Sequence, residues 1–184
     1  MASTRRSYND PGHARELTFS CYQRLPMLNS ERSRQWLGSA IDQARDRFHF
    51  ELWAYVIMPE HVHLLVYPLN ARHGIEVIRA AIKRPVAKNA VDWLSENDPE
   101  WLNRITVRKG IRSERRFWQK GAGYDRNVTS SKALQNIVNY IHMNPVRRGH
   151  VQRAVDWKWS SASFVSEQRP GPIEVDRILS EWWD

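Results

Sequence analysis

Two short stretches of this 184-residue sequence hold residues whose types and spacing suit chemistry: His61 and His63 in HVHLLVYP, and Tyr140 and Asn144 in YIHMNP. In an extended strand, side chains two apart share a face. The imidazoles of His61 and His63 therefore project together, while Val62, Leu64 and Val66 turn the other way into a core. Two adjacent imidazoles are a ready pair of metal ligands, and the same pattern also suits two histidines on a half-buried strand. Tyr140 and Asn144, four apart, are neighbours on one face of a helix. They lie beside the apolar stripe of Leu134, Ile137, Val138 and Ile141, and His142 faces elsewhere. Read alone, Tyr140 is first a boundary aromatic, and Asn144 a helix C-cap ahead of Pro145.

Taken together, the two stretches suit one reaction, transesterification of a phosphodiester by a tyrosine hydroxyl. That reaction needs an in-line nucleophile, a cation to neutralise charge on the phosphoryl oxygens, and a strand held unpaired. Two neutral imidazoles with an amide oxygen leave the full charge of a cation available and suit Mg²⁺ or Mn²⁺. Tyrosine suits an intermediate that must persist until rejoining, because its phosphodiester conserves the bond energy.

These residues must be positioned by the elements around them. Residues 16–23 (ELTFSCYQ) alternate as a strand. Residues 30–48 place Trp36, Leu37, Ile41, Ala44 and Phe48 at helical spacing behind an Asn29 or Ser30 N-cap. Residues 50–58 are aromatic and β-branched, hence a second strand, and after Pro59 a third strand spans residues 61–68, closing a hairpin. A second helix covers residues 75–94, where Pro85 is expected to kink or divide it. Short strands are expected at residues 104–108 and 115–119, a loop at GAGYDRN, and a third helix over residues 130–144, ended by Pro145. The order strand–helix–strand–strand–helix–strand predicts an α+β, ferredoxin-like split βαβ fold, an antiparallel sheet with helices on one face. Residues 1–14 read as a flexible basic lead and residues 15–165 as a single domain. Residues 166–184 read as a tail carrying a short amphipathic helix, EVDRILSEWW.

Composition narrows the setting. No stretch approaches a membrane span, the first residues lack the apolar run of a signal peptide, and Cys21 is the lone cysteine, which excludes an internal disulfide and fits a reducing cytoplasm. A net charge of +8 points to a polyanionic partner, nucleic acid before anionic membrane. Candidate phosphate contacts are Lys83, Arg84, Lys88, Arg115, Arg116, Lys120, Arg147 and Arg148; singly each reads first as a solvated surface charge, and as a set of one sign flanking both motifs they point to DNA contact. Trp118 and Tyr124 are candidate stacking residues, although the nine tryptophans are read first as packing groups. Glu60 either orients His61 or simply occupies the turn.

The strings YVIMPEHVHLLVYP, NYIHMNPVRRGHV and DWKWSSASF, in this order, resemble the single-tyrosine HUH transposases and in particular the REP-associated tyrosine transposases. ELTFSCYQRLPML, IKRPVAK and FWQKGAGYDRNV extend the resemblance over residues 15–165. It implies Asn144 as a third metal ligand beside His61 and His63, and Tyr140 as the nucleophile of a 5′-phosphotyrosine intermediate. It also implies a partner of single-stranded DNA flanked by imperfect palindromic hairpins, with the enzyme acting at the nucleoid as a monomer or homodimer. A non-catalytic hairpin binder and a hydrolase using water are the alternatives.

Overall fold

The computed structural model describes residues 12–70, 72–121 and 123–182. Most of the expected basic lead therefore lies outside the described residues, and its end, Ala14, already belongs to the first strand.

Three strands form early in the chain: β1 (Ala14–Ser20), β2 (Phe50–Ile57) and β3 (His61–Pro68). Only Met58, Pro59 and Glu60 separate β2 from β3, and the Met58 N–H donates to the His61 carbonyl at 2.9 Å, so the two pair as a hairpin. Helix α1 (Glu31–Phe48) joins β1 to β2. Its Ser30 cap accepts from the Ser33 N–H at 3.1 Å, and His49 in the left-handed region stops it. Helix α2 (Ile75–Asn97) follows β3. Pro85 does not divide it: Ile75, Ile78, Ile82, Val86, Ala90 and Leu94 form one buried stripe through that position. Packing of this stripe on α1 and the sheet outweighs the roughly 3 kcal/mol that an interior proline costs.

Beyond α2 come α3 (Pro99–Arg104), capped by Asp98, and a ribbon of β4 (Thr106–Lys109) and β5 (Arg112–Arg115). The expected strands at residues 104–108 and 115–119 are thus displaced, because Arg104 still belongs to α3 and residues 117–118 leave the ribbon to bridge Cys21. The segment GAGYDRN is not a loop: β6 (Tyr124–Val128) pairs antiparallel with β1. An edge strand needs only a neighbour's free backbone groups, not an apolar pattern of its own. Gly123, with φ +72°, lets the chain approach so closely that a Cβ there would collide with the Thr18 carbonyl oxygen.

The sheet order is β2-β3-β1-β6, all antiparallel, which is the expected split βαβ arrangement in an α+β fold. Helices α1 and α2 cover the face carrying Leu17, Phe19, Leu52, Val62 and Leu64. Helix α4 (Ser131–His142) lies against the other face with Trp53, Val56 and Leu65, so the helices are not confined to one side. Short helices α5 (Asn144–Arg147) and α6 (Ala162–Glu167) complete the chain.

Among its described residues the tail does not form the expected amphipathic helix, and a 3₁₀ turn occurs at Ser180–Trp182. The physical reason is the exposed edge of β2. The Trp159 carbonyl accepts from Ile57 N–H at 2.8 Å, Ser161 N–H donates to Tyr55 at 3.1 Å, and Asp176 exchanges bonds with Leu52 through its N–H and its carboxylate, both at 2.8 Å. An extended chain satisfies an edge that a helix would leave bare. Among the described residues, no helix is long and apolar enough to cross a membrane.

Candidate active site

The pleat of β3 turns His61 and His63 to the α4 face, and both are buried. Their rings lie edge to face with centroids 4.9 Å apart. His61 Nδ1 is 3.0 Å from Glu60 Oε1. A carboxylate only accepts, so the proton sits on Nδ1 and Nε2 keeps its lone pair. His63 Nδ1 is 2.8 Å from Thr18 Oγ1, a register partner on β1, and 3.8 Å from a Glu16 oxygen. Both histidines are thus oriented through Nδ1 with Nε2 turned away, the arrangement in which partners behind an imidazole fix its tautomer for ligation. Burial, and then the neighbouring His63, push His61 down to about 4, so it stays neutral near pH 7. Glu60 in turn lies 3.9 Å from Arg24 and 4.0 Å from Arg148.

Helix α4 is capped by Ser130 and buries Leu134, Ile137, Val138 and Ile141, as its spacing predicts. It ends two residues earlier than expected, at His142. Asn144 and Pro145 open α5 instead, because proline is accommodated in the first turn of a helix. The break leaves both Tyr140 and Asn144 beside His63. The buried Asn144 places Nδ2 3.2 Å from His63 Nε2, and its Oδ1 has no hydrogen-bond partner. Tyr140 is 40% exposed; its ring meets His63 edge to face at 5.3 Å, and the Arg147 guanidinium lies 5.0 Å over it. All four site residues come from one chain.

An orphaned amide oxygen beside two imidazoles fits a divalent cation. The two atoms of an amide are exchangeable by a flip, and ligands on neighbouring vertices of a Mg²⁺ octahedron stand about 3 Å apart, close to the observed 3.2 Å. Among the described residues no cluster of three His, Cys, Asp or Glu side chains stands ready for a metal. The Asn144 amide, 3.2 Å from His63, would complete a set with His61 and His63.

Beside this centre opens a cleft of about 480 Å³, lined by Glu16, Thr18, His63, Tyr124, Arg126 and Tyr140 among others. Thr18, Glu16 and Arg126 were not singled out from the sequence. The strand alternation of β1 was a usable signal for the first two, whereas Arg126 lay in a segment read as a loop. Also missed was the lock behind α4: His142 Nε2 is 2.8 Å from Ser161 Oγ, which accepts from Tyr55 N–H at 2.9 Å.

The expected phosphate contacts are spread over several elements. Arg84, Arg115, Arg147 and Arg148 are exposed. Lys83 is half-buried with its ammonium over Phe19 and Trp118, and Lys88 pairs with Asp92 at 2.6 Å. Arg116 and Lys120 both bind Glu114. Of the two stacking candidates, Trp118 is a core residue that donates to the Lys83 carbonyl, whereas Tyr124 faces the cleft.

A four-stranded antiparallel sheet presenting two inward histidines to a tyrosine-bearing helix has the layout of a tyrosine transposase. The chain belongs to that class: residues 13–144 match the family described as Transposase IS200 like. It is 30% identical over 127 residues to a protein of Haemophilus influenzae (strain ATCC 51907 / DSM 11121 / KW20 / Rd) named as a REP-associated tyrosine transposase, covering 67% of this chain and 65% of the relative. The REP-associated tyrosine transposase of Escherichia coli (strain K12) is 25% identical over 137 residues, covering 69% of this chain and 63% of the relative. The matches thus span a little under two thirds of those relatives' lengths. A solved REP-associated tyrosine transposase bound to a REP hairpin superposes with a TM-score of 0.68 at 22% identity, covering 98% of this chain and all of the other, and shares the fold.

Proposed function

We propose that the chain is a metal-dependent single-strand DNA endonuclease and strand transferase that cuts beside imperfect palindromic hairpins. The observation that carries this reading is the placement of the exposed Tyr140 ring against buried His63, with the unpartnered Oδ1 of Asn144 in the same centre. Family membership and the hairpin-bound relative support the substrate class. His61, His63 and Asn144 would hold Mg²⁺ or Mn²⁺. When bound, the ion would neutralise charge developing on the phosphoryl oxygens.

The Tyr140 oxygen attacks the scissile phosphorus in line. A phosphorus–tyrosyl oxygen bond forms as the bond to the 3′-oxygen breaks, leaving a 5′-phosphotyrosine and a free 3′-hydroxyl, and the phenolic proton ends, net, on that hydroxyl. Attack by a 3′-hydroxyl on the phosphotyrosine reverses the step and joins strands. Glu60 and Thr18 hold the imidazoles, and Arg147 over the phenol ring restricts its motion. Such chemistry belongs at the nucleoid.

The test is a labelled hairpin oligonucleotide with a single-stranded flank, incubated with the protein and Mn²⁺. Wild type is expected to form a denaturation-resistant protein–DNA adduct, and Tyr140→Phe none. Cleavage without an adduct would make the enzyme a hydrolase. Tight, metal-independent binding without cleavage would make it a non-catalytic hairpin binder.

A further inference from the structure

The β4–β5 ribbon has no role in the centre described above, yet its composition is peculiar. Strands of four residues pair Thr106 with Arg115, Val107 with Glu114, Arg108 with Ser113 and Lys109 with Arg112. Gly110 and Ile111 form the turn, with Gly110 at φ +56° as the first central residue of a tight hairpin turn demands. Residues 108–115 are exposed, and Ile111 at the tip is wholly so. The ribbon carries four cations, Arg108, Lys109, Arg112 and Arg115, against one acid, Glu114, which Arg116 and Lys120 already neutralise.

Two features are unfavourable in an isolated protein. Lys109 and Arg112 sit directly opposite each other, a like-charge cross-strand pair that destabilises a ribbon. Neither they nor Arg115 has an acidic partner among the described residues. An aliphatic side chain is held in water between them. A polyanion with an apolar interior reverses both penalties.

We infer that the β4–β5 ribbon is a duplex-reading arm that enters the major groove of a DNA hairpin stem, its cations on the phosphates and Ile111 against base edges. A major groove about 12 Å wide admits a two-stranded ribbon. Placement supports the stem rather than the cut strand. Three residues beyond β5, Trp118 bridges Cys21; Gln119 N–H donates to Ser20, and Ser20 pairs with His61. At about 3.4 Å per residue and about 4.8 Å per strand spacing, the ribbon's base stands within roughly 20 Å of His61. That is about six base pairs along a stem. A stem so held would set its single-stranded foot at the catalytic centre. The inference rests on the nucleic-acid reading above, but it concerns binding and not cleavage.

The test compares affinity of the full chain for a DNA hairpin with a single-stranded flank against a non-palindromic single strand of equal length, across a salt series. Lys109→Ala/Arg112→Ala is expected to weaken hairpin binding roughly tenfold at physiological salt and to lower the salt slope by about 2, since each phosphate contact contributes about 0.9. Single-strand affinity is expected to move less than twofold. Ile111→Ser is expected to weaken hairpin binding several-fold without changing the slope. Unchanged hairpin affinity in both variants, or equal loss on hairpin and single strand, overturns the inference. So does preference for the same stem made of RNA, whose deep, narrow major groove excludes a ribbon. Loss of hairpin binding in the variants while wild type forms no Tyr140 adduct would sink the cleavage reading and leave the arm standing; the converse result would do the opposite.

Discussion

Replacing Ser161 with alanine tests how the helix of the proposed nucleophile is fixed. Ser161 is buried, and its hydroxyl serves three groups: it accepts from Tyr55 N–H at 2.9 Å, meets His142 Nε2 at 2.8 Å, and donates to the Tyr55 carbonyl at 3.3 Å. One donor and two acceptor sites satisfy all three when His142 carries its proton on Nε2. Alanine removes the oxygen and leaves the Tyr55 amide and the His142 ring without partners. At about 1–3 kcal/mol for each stranded buried group, Ser161→Ala should cost about 2–6 kcal/mol. For a domain of this size that lowers Tm by roughly 5–15 °C. Because His142 lies two residues beyond Tyr140, well below Tm the adduct-forming rate should also fall by about tenfold or more through misplacement of the phenol. Urea denaturation and circular-dichroism melts read the first quantity, and a timed denaturing gel the second. A double-mutant cycle with His142→Leu, whose side chain needs no partner, should show a coupling of about 1–2 kcal/mol. A cost below about 0.5 kcal/mol, or additive single effects, would refute the lock.

Other predictions concern the proposed metal centre and the buried titrating groups. Asn144→Ala should weaken Mn²⁺ binding about tenfold or more in an electron paramagnetic resonance titration; unchanged affinity would remove Asn144 from the ligand set. Burial pushes His142 down to about 4 from an ordinary 6.5, so the unfolded chain takes up a proton that the native state refuses. The His142 contribution is therefore full above about pH 6.5 and is lost as pH falls toward 4, by on the order of 3 kcal/mol; because His61 is depressed in the same window, the difference between wild-type and His142→Leu urea midpoints across it reads this contribution. A difference that stays flat with pH would contradict the burial of a neutral His142 ring. Burial also pushes the Cys21 thiol up to about 12, so it should resist aromatic disulfide reagents until the protein is unfolded. Rapid labelling of the native chain would place Cys21 outside the core.

Much of the frame was legible in local pattern. Strand alternation set His61 and His63 on one face and Val62, Leu64 and Val66 on the other, and the 3.6-residue period of α4 set Tyr140 beside its buried stripe. Such periodicities survive because one face of each element must lose water. Where the local signal was weak or conflicting, the sequence misled. Pro85 argues against a continuous helix, yet the stripe from Ile75 to Leu94 overrides it. Tyr124–Val128 has no apolar alternation and still forms a strand, because β1 offers free backbone groups and Gly123 permits the approach.

What the sequence by itself determined was which side chains suit one chemistry: two imidazoles two residues apart, and a tyrosine four residues before an asparagine. What only the tertiary structure decided was that these stretches, some 80 residues apart, meet, with Asn144 3.2 Å from His63 and Tyr140 edge-on to the same ring. Their meeting depends on α4 lying on the face opposite α1 and α2, held by the hydrogen bonds that the Ser161 hydroxyl accepts from His142 and from Tyr55 N–H. The fate of the tail was decided in the same way, since Asp176 becomes an extended edge partner only once Leu52 presents unpaired backbone groups. Backbone hydrogen-bond demand at a sheet edge is a property of the assembled sheet, and no local pattern in residues 174–183 records it.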